Sequence, residues 1–428
     1  MKKIILTTGV AAIGMTSLQA AYAPGLSTLE KSKPWSVSLA VRGFYDDNPL
    51  TSPSATKDGS FGIEVAPTFS FNLPLEQTFI GLNYAYSLRY YENRPDNKID
   101  QSHNIGAKLD HAFSERYKIQ LAENFIVAQE PTVLDPNGLI TTPLRTDGNN
   151  LHNIAGITFS AQVTELIGLE IGYLNNLYNY DQSAADVASA SNPSGAGSQS
   201  ALLDRVEQLI SLSLRYQLQP KLVGILGYQY GMADYNSNEL IFGPPTPVTS
   251  EVRNTRSHYL FVGADNTFNE RLSGSLRLGA RFIDYYNDVS ANNKIAPYLD
   301  ASLSYAYNPG SFVQFGIRVD HNATDIVGSN AADPTVDQQS MGLYGSVTHR
   351  ITSRLSGNLL GQYQLSQFNG GSVDGSKDNF YILGASLNYL ISPHMSAEAG
   401  YNFDRLDSDL PGRSYSRNRV FVGLKGTY

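Results

Sequence analysis

Residues 60–72 read Ser60-Phe61-Gly62-Ile63-Glu64-Val65-Ala66-Pro67-Thr68-Phe69-Ser70-Phe71-Asn72. In an extended strand, successive side chains point to opposite faces. Phe61, Ile63, Val65, Phe69 and Phe71 therefore share one face, and Ser60, Gly62, Glu64, Thr68, Ser70 and Asn72 share the other. A greasy face backed by a wet face that includes a carboxylate is what a strand between lipid and water requires.

The pattern continues outward from this stretch. Ile80, Leu82, Tyr84, Tyr86 and Leu88 oppose Gly81, Asn83, Ala85, Ser87 and Arg89. Val313, Phe315, Ile317 and Val319 oppose Gln314, Gly316, Arg318 and Asp320, and Tyr381, Leu383, Ala385, Leu387 and Tyr389 oppose Gly384, Ser386 and Asn388. Short connections fall near 74–77, 114–116, 162–166, 217–221, 267–271, 308–310, 350–354 and 391–394. Long polar ones fall near 46–59, 92–100, 129–150, 181–204, 234–255, 286–294, 322–337, 367–378 and 405–416. Short periplasmic turns alternating with long external loops predict an all-β fold: a transmembrane antiparallel up-and-down β-barrel of about 18 strands, with both termini in the periplasm. The 181–204 loop, rich in Ser, Ala, Gly and Asn, is expected to be mobile.

The N-terminus reads as a secretory signal: Lys2 and Lys3, an apolar run over 4–18, then small residues at Ala20, Ala21 and Ala23. A permanent anchor helix is the competing reading, but the apolar run is short for one. Ala21-Tyr22-Ala23 fits the cleavage pattern while Pro24 just after it does not, so the bond falls between 20 and 24. The expected organisation is a signal peptide at 1–23, a short periplasmic segment at 24–34 and the barrel at 35–428.

Composition agrees. A mean hydropathy of −0.24 suits alternating faces. It does not suit helical spans, which need runs of about 20 apolar residues. The absence of Cys excludes disulfides and Cys-ligated metals. A net charge of −8 offers no basic excess for nucleic acid. Aromatic residues gather at strand ends, as the two interfacial girdles of a barrel require. Trp35, Phe113, Tyr216, Phe268, Tyr305, Tyr307 and Tyr428 are expected at the periplasmic side, and Tyr45, Tyr90, Tyr91, Phe282, Tyr285, Tyr286 and Phe403 at the outer side. A soluble sandwich or propeller also alternates, but rarely joins these signals to a terminal aromatic strand. Here Val420, Val422, Leu424, Gly426 and Tyr428 alternate to the carboxyl end. That ending resembles the signal read by the outer-membrane assembly machinery. Two residues resist the scheme. Pro67 removes a ladder hydrogen bond, so a bulge is expected there. Glu123 falls on the lipid side of its strand, which calls for a bulge or a place near an interface.

Three segments carry a family resemblance: Arg42-Gly43-Phe44-Tyr45-Asp46-Asp47-Asn48, Leu109-Asp110-His111-Ala112-Phe113 with Glu115-Arg116, and Arg417-Asn418-Arg419-Val420-Phe421-Val422-Gly423-Leu424. Through them the mature chain resembles the putative β-barrel porin 2 group of outer-membrane proteins, common in Verrucomicrobia-type Gram-negative bacteria. The resemblance implies an outer-membrane barrel with a porin-like role and carries over no functional residues.

No catalytic constellation stands out, and the chain is expected not to be an enzyme. His103, His111, His152, His258, His321, His349 and His394 are scattered, none in an H-E-x-x-H spacing, and there is no G-x-S-x-G elbow. Asp46-Asp47-Asn48 has oxygen ligands of the kind calcium favours, but reads more simply as a solvated turn. No metal or cofactor is expected. The informative residues are the charges on the wet face. Arg42, Arg89, Arg215, Arg277, Arg281 and Arg318, with Glu64, Asp110, Glu170, Asp300, Asp320 and Glu398, point into the lumen on this register. Both signs are costly in a dry interior and natural in a wet one. Arg277 and Arg281 would form rungs of a basic ladder. Opposed basic and acidic walls would set a weak ion preference; pairing that braces the wall is the other reading, and both can hold.

The expected function is a porin-like channel for passive diffusion of small hydrophilic solutes, since about 16–18 strands leave an aqueous channel. The alternatives are an export barrel for an acidic exopolysaccharide and a structural or surface-display barrel. Expected partners are outer-membrane lipids, the assembly machinery and small solutes, with no nucleic acid; a homo-oligomer is compatible with the sequence and not decided by it.

Overall fold

The computed structural model describes residues 34–53, 56–95, 97–128, 150–287 and 293–428. The expected signal peptide, the 24–33 segment and most of the 129–150 loop lie outside the described residues.

Alternation builds the strands where it was expected. They are β1 Trp35–Asp46, β2 Ser60–Pro74, β3 Thr78–Tyr91, β4 Ile99–Ala112, β5 Tyr117–Ala128, β6 Asn150–Gln162, β7 Ile167–Tyr180, β8 Arg205–Gln219 and β9 Leu222–Tyr235. After a small loop hairpin of β10 Leu240–Phe242 and β11 Val248–Thr249 come β12 Thr255–Thr267, β13 Leu272–Asp284, β14 Lys294–Asn308, β15 Ser311–Asn322, β16 Asp337–Arg350, β17 Leu355–Asn369, β18 Lys377–Ser392, β19 Met395–Ser408 and β20 Tyr415–Thr427. Apart from the hairpin, all form one 18-stranded antiparallel sheet in which each strand pairs with the next. β20 returns to pair with β1 from Ser38↔Thr427 to Asp46↔Arg419, which closes the barrel and leaves no free edge. The seam ends on reciprocal backbone bonds between Val37 and Tyr428, of 3.1 Å from Val37 N–H and 2.8 Å from Tyr428 N–H. The Trp35 and Tyr428 rings pack 5.9 Å apart beside it.

The outer face carries the exposed large apolar side chains, with Phe61 60% and Val422 66% accessible. Lipid takes the place of a packed core on that side. The inner face holds the buried polar and charged residues together with a few aromatic side chains. Several of these rings lie flat on a glycine of the neighbouring strand. A Cβ at Gly62 would meet the Phe44 ring at 2.2 Å, and one at Gly316 would meet the Tyr344 ring at 2.2 Å. Glycine here lets a large inward ring lie along the wall instead of projecting into the lumen.

Three expectations need correction. At Pro67 the β2–β3 ladder skips two positions, between Val65↔Leu88 and Thr68↔Ala85, and resumes in the same register. On the other side Leu39↔Pro67 is unbroken. The missing N–H thus opens a gap in one ladder without inserting a bulge. Tyr91 and Tyr285, expected in the outer girdle, turn inward and are buried. Tyr91 packs edge-on against Phe44 with the Arg94 guanidinium over its ring, and the Tyr285 hydroxyl donates to Asp337. The 181–204 loop is folded. It contains α1 Ala184–Val187 and α2 Gln199–Leu203, and Ser198, Ala201 and Leu203 are buried. Ser198 caps α2 by accepting from the Ala201 N–H, the Ser183 hydroxyl donates to Asp186 at the start of α1, and the Ala201 side chain fits a fully buried site, so a composition that reads as disordered serves packing instead.

Candidate functional site in the lumen and outer mouth

The lumen wall is built by the wet faces of the strands, and ladder register decides which charges meet. Arg42 of β1 lies opposite Glu64 of β2 and Gly423 of β20. Its Nη1 donates to Glu64 at 2.8 Å and its Nε to Glu398 of β19 at 2.6 Å. Arg89 of β3 donates to the other oxygen of Glu64 at 3.0 Å, and the Ser87 hydroxyl donates to that same oxygen at 2.7 Å. The Phe421 ring lies 5.6 Å from the Arg42 guanidinium. Arg42, Glu64, Arg89 and Glu398 thus form one four-residue network across the seam.

A second network lies on the opposite wall. Asp265 of β12 accepts from Arg215 of β8 and from Arg277 of β13, both at 2.7 Å. Arg281 donates to Asp320 at 3.0 Å, to the Ser257 hydroxyl at 3.1 Å and to the His321 carbonyl at 2.6 Å. Arg318 approaches Asp320 at 3.9 Å, and Asp300 lies between Arg277 and Arg318 in the register. Asp110 pairs with Lys108 at 2.9 Å and accepts from Gln120. Glu170 faces the lumen between Ser160 and Ser213. All twelve expected charges therefore lie on the inner face. The basic ladder of Arg277 and Arg281 exists as a row, but a carboxylate neutralises each rung. Opposed walls of one sign are not built, because acids and bases alternate between adjacent strands.

Sequence reasoning missed Asp265, which shares the inner face of β12 with Tyr259, Phe261 and Gly263. Those apolar neighbours hide the wet face there; Tyr259, Phe261, Ile225 and Tyr298 form a buried cluster on the wall. The Asp46-Asp47-Asn48 cluster is a hub of ion pairs and turns. Asp46 accepts from Arg417 at 2.5 Å, Asp47 accepts from Lys57 and Asn418, and Asn48 closes a turn with Ser52. Among the described residues no group of three or more His, Cys, Asp or Glu is placed to hold a metal.

The outer mouth is where loops converge. Glu239, in the loop before β12, accepts from the Ala184 N–H and from the Ser198 and Ser200 hydroxyls of the 181–204 loop. Burial would raise the Glu239 carboxyl, but these donors hold it below its ordinary value. Asp204 is pushed up to about 6 by burial, even though the Tyr180 N–H donates to it. Arg253 is fully enclosed. It donates to the carbonyls of Leu202, Thr324 and Ile326 at 2.9, 2.6 and 2.9 Å, and burial lowers its pKa. Arg413, ahead of β20, makes a bidentate pair with Asp325 at 2.7 and 2.8 Å and a further bond to Asp378 at 2.8 Å. Burial would lower its pKa, and the two carboxylates hold it above the ordinary value. Loops from well-separated strands are therefore laced together over the mouth.

A closed 18-stranded barrel with an apolar outer belt, girdled ends and a charged inner wall is an outer-membrane β-barrel of the porin type, a transport channel fold. The chain belongs to the putative β-barrel porin 2 family, whose model matches residues 36–428. Among solved structures it is similar to Acinetobacter baumannii OccAB4, at 12% identity over 92% of this chain and 99% of that one, with a TM-score of 0.41. Pseudomonas aeruginosa OpdL matches at 15% identity over 92% and 99% with a TM-score of 0.41, and OccK2 (OpdF) of the same organism at 12% over 92% and 98% with a TM-score of 0.43. No curated protein sequence matches it.

Proposed function

We propose that the barrel is a non-catalytic, weakly selective pore through which small hydrophilic solutes diffuse passively. One observation carries this reading. The lumen-facing side chains of Arg42, Arg89 and Arg318 remain 26%, 29% and 26% accessible while paired or close to carboxylates. Ion pairs whose arginines stay partly exposed on an inner wall require water beside them, since desolvating both charges costs several kcal/mol per ion. The rings laid on Gly62 and Gly316 support the same reading, because they leave the bore to solvent.

Alternating signs along the wall favour passage of neutral or weakly charged solutes over a continuous track for an acidic polymer. Proteoliposomes containing the refolded barrel are the test. Swelling in small sugars and amino acids, falling steeply with solute size, supports the proposal. Liposomes that hold their volume in every small solute would replace it with a gated export barrel or a closed structural one.

A further inference from the structure

Glu123 stays on the outer face of β5. Its register against β6 is unbroken from Tyr117 to Ala128, so no bulge turns it inward, and it is exposed. Nor does it sit at a border of the apolar belt. The ladder row through Glu123 continues to Ala155 of β6, Asn175 of β7 and Gln208 of β8. The row on its periplasmic side is Leu121, Ile157, Tyr173 and Ile210, and the row on its outer side is Phe125, Asn153, Leu177 and Val206. A carboxylate and the amides of Asn153, Asn175 and Gln208 thus form a polar patch over two rows, with Leu121, Ile157, Tyr173 and Ile210 below it and Phe125, Leu177 and Val206 beside Asn153 on its outer side. None of the four side chains has a hydrogen-bond or ion-pair partner among the described residues, and Asn153 Oδ1 is shut off from solvent as well. The face from β12 to β17 differs: there the row Val262, Leu278, Leu299, Val319, Met341 and Leu365 is apolar, and it turns polar only at Asn379, near the start of β18.

Hydrocarbon offers such groups no partner, and a charge on the lipid face of a barrel is destabilising. Another protein surface can satisfy those it can reach, the exposed Glu123 carboxylate and the half-buried Asn175 and Gln208 amides. We propose that the β5–β8 face is the contact with a second copy of this chain. A carboxylate only accepts, whereas each Asn or Gln amide donates twice and also accepts. The patch is therefore complementary to itself, which is what a two-fold contact between identical surfaces demands. Ala155, small and central in the patch, lets the two walls approach.

The chain has no Cys, so single-cysteine crosslinking in intact outer membranes reads this contact directly. Ala155→Cys should give an oxidant-dependent dimer of twice the chain mass, and Leu299→Cys on the apolar face of β14 should not. Adding Glu123→Leu to Ala155→Cys should weaken the crosslinked dimer by about tenfold, equivalent to about 1.4 kcal/mol, while heat-modifiable migration shows the barrel still folded. Equal crosslinking from both faces, none from Ala155→Cys, or an adduct with a protein of different mass would overturn the proposal.

Discussion

The Arg253 guanidinium donates to the Thr324 carbonyl at 2.6 Å and so ties the loop before β12 to the loop after β15, across the intervening β13 and β14. With its bonds to Leu202 and Ile326, this one side chain holds three external segments together. It meets carbonyls rather than a carboxylate there, so the contact works as a clasp between loops.

Arg253→Ala should open that clasp. Hydrogen bonds to charged groups are worth about 1.5–3 kcal/mol each, so the three loops should lose mutual order while the ladders remain. The expected result is faster proteolytic nicking within 236–254 and 323–336 and a noisier open-channel current, with unchanged heat-modifiable migration. Nicking at the wild-type rate would show that the loops hold without Arg253.

The loop package should respond to mild acid through Asp204. Its folded pKa of about 6 lies above its ordinary value of 3.8. The stabilisation it provides is therefore fully present below about pH 4 and is lost as pH rises through about 6. Glu239 runs the other way: its contribution is present above its ordinary value of 4.5 and is lost as pH falls through its lower folded pKa. Hydrogen-exchange protection factors in residues 198–204, which divide out the base-catalysed rise of intrinsic exchange, should accordingly fall between pH 4.5 and 6.5 in the wild type and stay level over that window in Asp204→Asn. The same fall in the variant would assign the effect to another group.

Arg42→Ala removes one cation and releases Glu64 and Glu398 from their shared partner. The pore should move toward cation preference, visible as a shifted reversal potential in a salt gradient, whereas Glu64→Gln should move it toward anions. Identical reversal potentials in all three proteins would place this network away from the conduction path.

Gly316→Val should narrow the pore without touching a charge. The Cβ would lie 2.2 Å from Tyr344 Cζ, so the ring must swing off the wall toward the lumen. Single-channel conductance should fall, and Gly316→Val with Tyr344→Ala should restore it. A fall that persists in the double variant would locate the cause in the ladder itself.

Lipid-face burial predicts a different response at Val422, which is 66% accessible on β20. Val422→Arg should cost about 2–4 kcal/mol if the side chain lies near the bilayer midplane, measured by urea-dependent folding into lipid vesicles. A change near zero would place that position outside the hydrocarbon.

The wall was legible in the sequence because its signal is local. Phe61 and Ile63 against Gly62 and Glu64 fix a face within four residues, and the alternation of short and long connections fixes the strand count. The partners of the lumen charges were not legible. Arg42 and Glu398 stand 356 residues apart and meet only because β20 returns to β1. The inner face of β12 was obscured by Tyr259 and Phe261, which rest on the wall, so Asp265 went unread. The 181–204 loop misled by composition, since its small polar residues serve as caps and tight packing. Glu123 was noticed as an exception, but its meaning needed the rows on either side of it.

Planar-bilayer recording of the refolded mature barrel tests the central claim most directly. An open, water-filled lumen lined by paired charges predicts stable conductance steps of porin size, with a reversal potential near zero in a salt gradient. A barrel that folds, shows heat-modifiable migration and passes no current would contradict the account.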